Sequence, residues 1–343
     1  STLQPKGLLI EESRTNLLTY SEQFDNAAWT KSVCSVTPNV AVAPDGTTTA
    51  DKLILNNGQA PGSNRSAFES LSGVTGTHTI SIFAKTAELH ALRISILSAA
   101  NTTLTGPTFN TTNGTYDSLG SAISASITNV GNGWYRCVAT FDFLTGATVP
   151  RVYYASTQAT GNGTSGVYIW GAQVEAGSFA TSYIPTTSAQ VTRAADNAVM
   201  TGTNFSSWYN QSAGTVYAEW NALGFTARIA SLYADNNNRI SLTCTSTNTA
   251  LESYVSSVYQ GTDLSGSYSS NTNYKQAGAY QSNNANLAIN GVLGITDTTY
   301  SIPTATQMLI GQSISGSYNN GYIKRLTYYN KRLTNQQLQY LTR

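Results

Sequence analysis

LAINGVLGI, residues 287–295, holds the most explicit structural instruction in the chain. Asn290-Gly291 separates two short apolar runs, and Asn-Gly tolerates the positive φ that a tight hairpin turn needs at both central positions. The stretch predicts an antiparallel hairpin. Asn113-Gly114, Asn320-Gly321 and Asp45-Gly46 are weaker versions of the same signal. Outward from it, β-rich runs recur roughly every ten residues between Gly, Asn, Pro or Asp: HTISIFA (78–84), ALRISIL (91–97), WYRCVATFDF (134–143), RVYYAST (151–157), VYIWGAQVE (167–175), TVYAEW (215–220), RIASLYA (228–234) and RISLTC (239–244). Short strands at that spacing indicate β-sandwiches or barrels. Helix is nearly absent until the end, where RLTNQQLQYLT is expected to form a short one: Thr334 and Gln337 form a capping box and Leu333 and Leu338 a hydrophobic staple. That helix should fold back as a lid.

With 343 residues, the chain exceeds the size at which one core usually keeps growing. A break is expected in YIPTTSAQVTRAADNAVM (183–200), which has Pro, a Ser/Thr cluster and little alternation. The predicted class is all-β: two tandem antiparallel β-sandwiches, residues 1–185 and 200–343, joined by a linker at 186–199 and closed by the short C-terminal helix.

Composition narrows the function. Only 18 Lys and Arg and 17 Asp and Glu are present, against 21 Tyr and abundant Ser, Thr, Asn, Gln and Gly. A surface wetted by neutral hydroxyls and amides suits carbohydrate better than phosphate backbones. A net charge of +1 gives no electrostatic case for nucleic acid, and no apolar run is long enough for membrane insertion by a helix. The N-terminus has neither an initiator Met nor a signal-peptide layout, so the chain reads as a piece excised from something longer. Cys34, Cys137 and Cys244 have no paired spacing and are expected to be buried thiols.

Motifs for chemistry are scarce. Gly161, Gly163 and Gly166 match a dinucleotide fingerprint, but a strand follows where the pyrophosphate would need a helix N-terminus; a hairpin loop is the expectation. His78 and His90, the only imidazoles, lie outside any metal or nucleophile motif, and His78 is expected to be a strand residue. Glu219, Glu252, Asp196, Asp235, Asp263 and Asp297 include no pair at i, i+2 on one strand, so a glycosidic dyad would have to assemble across strands. Asp235, in YADNNNR, is either a turn former or a Ca²⁺ ligand helped by its carboxamide neighbours. No other cofactor is expected.

The stretches GLLIEESRTNLLTYSEQFDNAAW (7–29), APDGTTTADKL (43–53), GNGWYRC (131–137), YIWGAQVEAGSFATSYIPTT (168–187) and TRAAD (192–196) together resemble a module of bacteriophage fibre and receptor-binding proteins, which looks like a carbohydrate-binding-module jelly roll. WYNQSAGTVYAEW (208–220), IASLYADNNNRISL (229–242), LAINGV (287–292), LIGQS (309–313) and GYIKRLTYYNKRLTNQQLQYLT (321–342) are similar to concanavalin-like, laminin-G-type sandwiches. The resemblance implies a virion surface protein outside the cell, homotrimeric, in contact with other virion proteins and binding a host envelope polysaccharide; with the catalytic motifs scarce, it is expected to be non-catalytic. A structural decoration or connector protein and a capsule-depolymerising enzyme are the alternatives. Trp29, Trp134, Tyr135, Trp170, Trp208 and Trp220 are expected to be packing residues.

Two glycan sites are expected. In the first sandwich, strand alternation puts Arg93 opposite the apolar face of ALRISIL; with Arg151, Tyr153 and Gln173 it makes a candidate polar face. In the second, SYVSSVYQGTDLSGSYSSNTNYKQAGAY sets Tyr254, Tyr259, Tyr268 and Tyr274 among Ser, Gly and Asn, as in adaptable binding loops. Tyr280 is expected to point inward, and Tyr318 in SGSYNNG is a further candidate. Lys324, Arg325, Lys331, Arg332 and Arg343 read as a solvated face or as an attraction for acidic polysaccharide.

Overall fold

A computed structural model describes residues 6–58, 66–97, 103–143, 151–155, 160–224, 227–313 and 316–343. The chain is nearly all antiparallel β, in two compact units. The units are Arg14–Arg193 and a discontinuous one made of Ser1–Ser13 and Ala194–Arg343. The division therefore differs from the expected 1–185, 186–199 and 200–343. Strand Leu8–Ile10 pairs with Gly321–Tyr329, setting Leu8 opposite Ile323. Glu11 N–H donates to Asp196 Oδ2 (2.9 Å) and its carbonyl accepts from Asp196 N–H (3.0 Å). Glu12 and Asn320 likewise exchange two hydrogen bonds of 2.9 Å. Nor is 186–199 a bare linker, because Val191–Arg193 pairs with Arg14–Asn16 in the first unit and Ala198–Thr201 with Gln307–Ile310 in the second.

In the unit Arg14–Arg193, two six-stranded sheets enclose one core. Gly76–Thr86 is central in its sheet, between Trp134–Phe143 and Gly166–Ala176. Alternation sends Ile80, Ile82 and Ala84 into the core with Leu92, Ile94 and Ile96 of Ala91–Leu97 from the other sheet. Phe83 points the other way and packs with Trp134 and Trp170. Both indole N–H groups are satisfied, Trp134 by the Val42 carbonyl (2.9 Å) and Trp170 by Thr49 Oγ1 (3.0 Å), as buried polar groups require. The GNGTSG loop runs into strand Gly166–Ala176, with Asn162 Oδ1 accepting from the Thr164 and Ser165 amides. His78 is a buried strand residue whose Nδ1 lies 3.1 Å from the Gly76 carbonyl.

The second unit is also a pair of six-stranded sheets. One, here the helix-backed sheet, is ordered Leu8–Ile10, Gly321–Tyr329, Ala213–Ala222, Asn273–Gln281, Asn284–Ile289, Val292–Leu293. The other, the open sheet, is ordered Ala198–Thr201, Gln307–Ile310, Ala227–Asp235, Asn238–Cys244, Asn248–Val255, Val258–Ser265. Val216, Trp220, Leu287 and Ile323 face Ile229, Leu232, Ile240, Leu242 and Leu251 across the core. Tyr280 is fully buried, its hydroxyl 3.0 Å from that of Tyr328; a Cβ on Gly214 would meet both hydroxyls at 2.5 Å.

The turn at Asn290-Gly291 forms as its chemistry dictates, with φ of 46° and 79° and Ile289 paired to Val292. The C-terminal helix, Asn335–Leu341, has both halves of its capping box, and Leu333 and Leu338 cover Tyr217, Ala277, Ala279 and Ala288 on the outer face of their sheet. Cys34, Cys137 and Cys244 are free and buried. Among the described residues no helix is long and apolar enough to cross a membrane.

Candidate functional site

Of the four residues grouped in the first unit, Gln173 lies apart from the other three, which share one sheet. Arg93 is half-buried and donates from Nε to Thr108 Oγ1 at 3.0 Å. Backbone register sets Tyr153 opposite Ser95 and Arg151 opposite Leu97, but the side chains of Arg151 and Tyr153 lie outside the described part of the structure. Gln173 is in the other sheet. It is fully buried with Glu175 beneath residues 181–184: Ile184 N–H donates to Gln173 Oε1 (2.7 Å), Thr181 N–H to Glu175 Oε1 (2.6 Å), and the Gln173 amide to Glu175. Burial raises the Glu175 pKa. Alternation assigned Gln173 to the outer face correctly, but a segment of the same unit covers that face, and Gln173 is withdrawn from the glycan-binding set.

The tyrosines of 254–280 divide in two. Tyr274 is buried with its ring 5.0 Å from that of Trp220 at a tilt of 33°; Tyr268, half-buried, meets Tyr274 edge-on at 5.8 Å and packs on the core. The Tyr274 hydroxyl accepts from Ser269 N–H at 2.7 Å. Both rings serve the sandwich interior, contrary to the expected binding role. The alternation already contained this, because Tyr274 and Tyr280 are an even number of residues apart on one strand and share its inner face. Tyr318 is half-buried in a loop bridged to Gln312.

Tyr254 and Tyr259 stand on the outer face of the open sheet. Register builds a cross-strand row there: Tyr233 opposite Arg239, Arg239 opposite Tyr254, Tyr254 opposite Tyr259. The Arg239 guanidinium lies 3.9 Å from the Tyr254 ring centroid, and the rings of Tyr254 and Tyr259 meet at 5.3 Å and 65°. Tyr259 is 51% exposed, so its ring offers a free face at the sheet margin. Gly261 makes room for it, since a Cβ there would sit 3.0 Å from the Tyr259 hydroxyl. Burial and the nearby Glu252 and Asp263 carboxylates raise the pKa of that hydroxyl, which therefore stays a neutral donor and acceptor.

The neighbouring row is polar. Ser231 and Ser241 share a 2.8 Å hydrogen bond, and Glu252 is held by Arg228 at 2.8 Å. Tyr254 and Tyr259 stand out in residue order alone; Arg239, Tyr233 and Arg228 do not, because their place beside them depends on strand register.

The row ends at two linked turns. Ser256 and Ser257 form a two-residue hairpin loop with φ of 50° and 71°, a conformation that usually recruits Asn-Gly. Ser256 N–H donates to Asn238 Oδ1 (3.1 Å) and Ser257 N–H to the Asn237 carbonyl (3.1 Å), so the adjacent 235–238 turn holds the strained one in place. Asp235 closes that second turn: Oδ1 accepts from Asn237 N–H at 2.7 Å, and both oxygens face the Asn238 amide. Its oxygens are thus engaged as a turn former's are, and among the described residues no three His, Cys, Asp or Glu side chains gather as metal ligands.

No protein-family model matches the chain, and no curated protein matches it. Solved structures with a similar arrangement include domain 4 of AbnA, a GH43 extracellular arabinanase from Geobacillus stearothermophilus, in complex with arabinotriose (19% identity, 39% of this chain and 68% of that one, TM-score 0.33). Others are domains LG4-5 of the mouse laminin α1 chain (10% identity, 97% and 93%, TM-score 0.31) and a Trypanosoma rangeli sialidase mutant displaying trans-sialidase activity (15% identity, 38% and 22%, TM-score 0.26). These are likenesses of β-sandwich architecture.

Proposed function

We propose that this chain is a non-catalytic glycan-binding segment of a virion surface fibre, and that it engages host polysaccharide through Tyr254, Tyr259 and Arg239. The observation that carries the reading is the free ring face of Tyr259 beside a Tyr254 ring already capped by a guanidinium. Sugar rings stack their C–H faces on such surfaces, and the phenol tips and sheet hydroxyls supply neutral hydrogen bonds. Glu252 is committed to Arg228 and Glu219 to the Tyr217 hydroxyl at 2.9 Å, which supports binding over hydrolysis. The virion setting and the homotrimer rest on the fibre-module motifs of residues 7–196; in a trimer, weak sites would gain from multivalency.

Two variants test the reading on a glycan array and in pull-downs with host capsule or lipopolysaccharide. Tyr259→Ala and Tyr254→Ala should each weaken retention about 2–10-fold, the range of an aromatic contact of 0.5–1.5 kcal/mol. Retention unchanged in both would overturn the site. Release of reducing ends from the same polysaccharide would establish an enzyme instead, and a monomer by light scattering would remove the trimer.

A further inference from the structure

The helix-backed sheet of the second unit has, on its outer face, a cleft of about 330 Å³ bounded by Tyr322, Asn221, Asn273 and Lys275 and rimmed by Lys6, Lys324 and Arg343. We propose that this cleft is a second saccharide site, selective for a carboxylate-bearing sugar such as a hexuronate or sialic acid.

Strand pairing sets the floor. Asn221 lies opposite Tyr322 on one side and Asn273 on the other, and the two Asn side chains are within 3.4 Å. The cleft's end is pinned where Gly291 N–H donates to Thr342 Oγ1 at 3.0 Å. The N-terminal strand reaches it because Gly7, at φ 108°, lies against the neighbouring strand, where a Cβ would come within 2.4 Å of the Ile323 carbonyl oxygen. That approach holds Lys6 Nζ 5.4 Å from the centroid of the Tyr322 ring.

Charge decides the ligand class. The one carboxylate side chain in the lining is Glu219, which already accepts from the Tyr217 hydroxyl (2.9 Å) and has Arg325 at 4.0 Å. Lys275 donates to the main-chain oxygen of Arg343, the last residue of the sequence, so its ammonium offsets the terminal α-carboxylate there. Among the described residues, Lys6, Lys324 and Arg343 have no carboxylate within 4.0 Å. Three cations thus rim a cleft whose walls are carboxamides and a tyrosine ring, an arrangement that focuses positive potential on whatever enters. Carboxamides match vicinal hydroxyls, the ring matches a sugar face, and the cations match an acid; together they select an acidic sugar over a bare anion. The site is on the opposite sheet from Tyr259 and stands or falls independently of it.

The test is calorimetric titration of the whole chain with trigalacturonate, trimannuronate and trisialic acid, with maltotriose and inorganic phosphate as controls. At least one acidic trisaccharide should bind, more weakly as NaCl rises from ~50 to ~500 mM. The double variant Lys6→Gln, Lys324→Gln, whose side chains are exposed, should leave thermal unfolding unchanged and weaken binding by about tenfold or more, whereas Tyr259→Ala should leave it intact. Equal binding of maltotriose, equal competition by phosphate, an unaffected double variant, or no binding of any acidic trisaccharide would each overturn the proposal.

Discussion

The guanidinium of Arg239 sits 3.9 Å from the centroid of the Tyr254 ring, across the hairpin that joins their strands. This contact fixes one face of Tyr254 and turns the pair into a rigid platform beside Tyr259. Replacing Arg239 by Ala should lower the stability of the second unit by about 0.5–1 kcal/mol and weaken glycan retention a few-fold. Arg239→Lys should recover only part of both, because an ammonium keeps the charge but not the flat stacking surface. Denaturant midpoints and array signal provide the measurement; a Lys variant equal to wild type would show that charge alone matters.

The loop of Ser256 and Ser257 stores backbone strain, since L-residues other than Gly and Asn resist φ of 50° and 71°. Converting the pair to Asn-Gly should stabilise the second unit by about 1–2 kcal/mol, a rise of roughly 2–8 °C in its melting temperature. Unchanged melting would mean that the bonds from the 235–238 turn already compensate fully.

Asp51 gives the first unit an unusual pH response. Its carboxylate accepts the Phe24 and Asn39 amide protons, each at 2.9 Å, yet burial dominates and pushes its pKa up to about 6. The unfolded value is about 3.9, so the folded unit binds this proton more tightly. The stabilisation is complete below the unfolded value and is lost as pH rises through about 6. Burial raises Glu175, Glu69 and Glu22 in the same direction. The denaturant midpoint of this unit should therefore increase from pH 8 to pH 5, and Asp51→Asn should flatten that rise. A midpoint that drops on acidification would contradict the assignment.

The C-terminal helix depends on its cap. Gln337 N–H donates to Thr334 Oγ1 at 3.2 Å, and Thr334 N–H to Gln337 Oε1 at 2.8 Å. Thr334→Ala should cost about 1 kcal/mol, and Leu338→Ala, which opens the contact with Tyr217 and Ala277, about 2–5 kcal/mol. Circular dichroism with denaturant titration would separate a frayed helix from a lost lid.

What was legible in the sequence was local. The Asn290-Gly291 turn and the Thr334 capping box are written in adjacent residues and formed as read. The Ser256-Ser257 turn was invisible, because nothing in serine favours positive φ and the group that enforces it, Asn238, arrives from another hairpin. Alternation indicated the face each strand residue occupies, which was enough for Ile94 and Tyr280. It said nothing of what lies over a face, so Gln173 looked exposed while residues 181–184 cover it. Arg239 was missed because register across a hairpin is set by the whole sheet. The pairing of Leu8 with Ile323 lies beyond any local signal.

That last pairing also imposes an order on biosynthesis. Residues 8–10 are made long before their strand partner, residues 321–323. Everything between Arg14 and Arg193, whose terminal strands pair with each other through Arg14 and Arg193, can complete its own sandwich in the meantime. Strand Leu8–Ile10 lacks that partner until residue 321 is translated, so a product truncated before it would retain a finished first sandwich and lose every function assigned to the second.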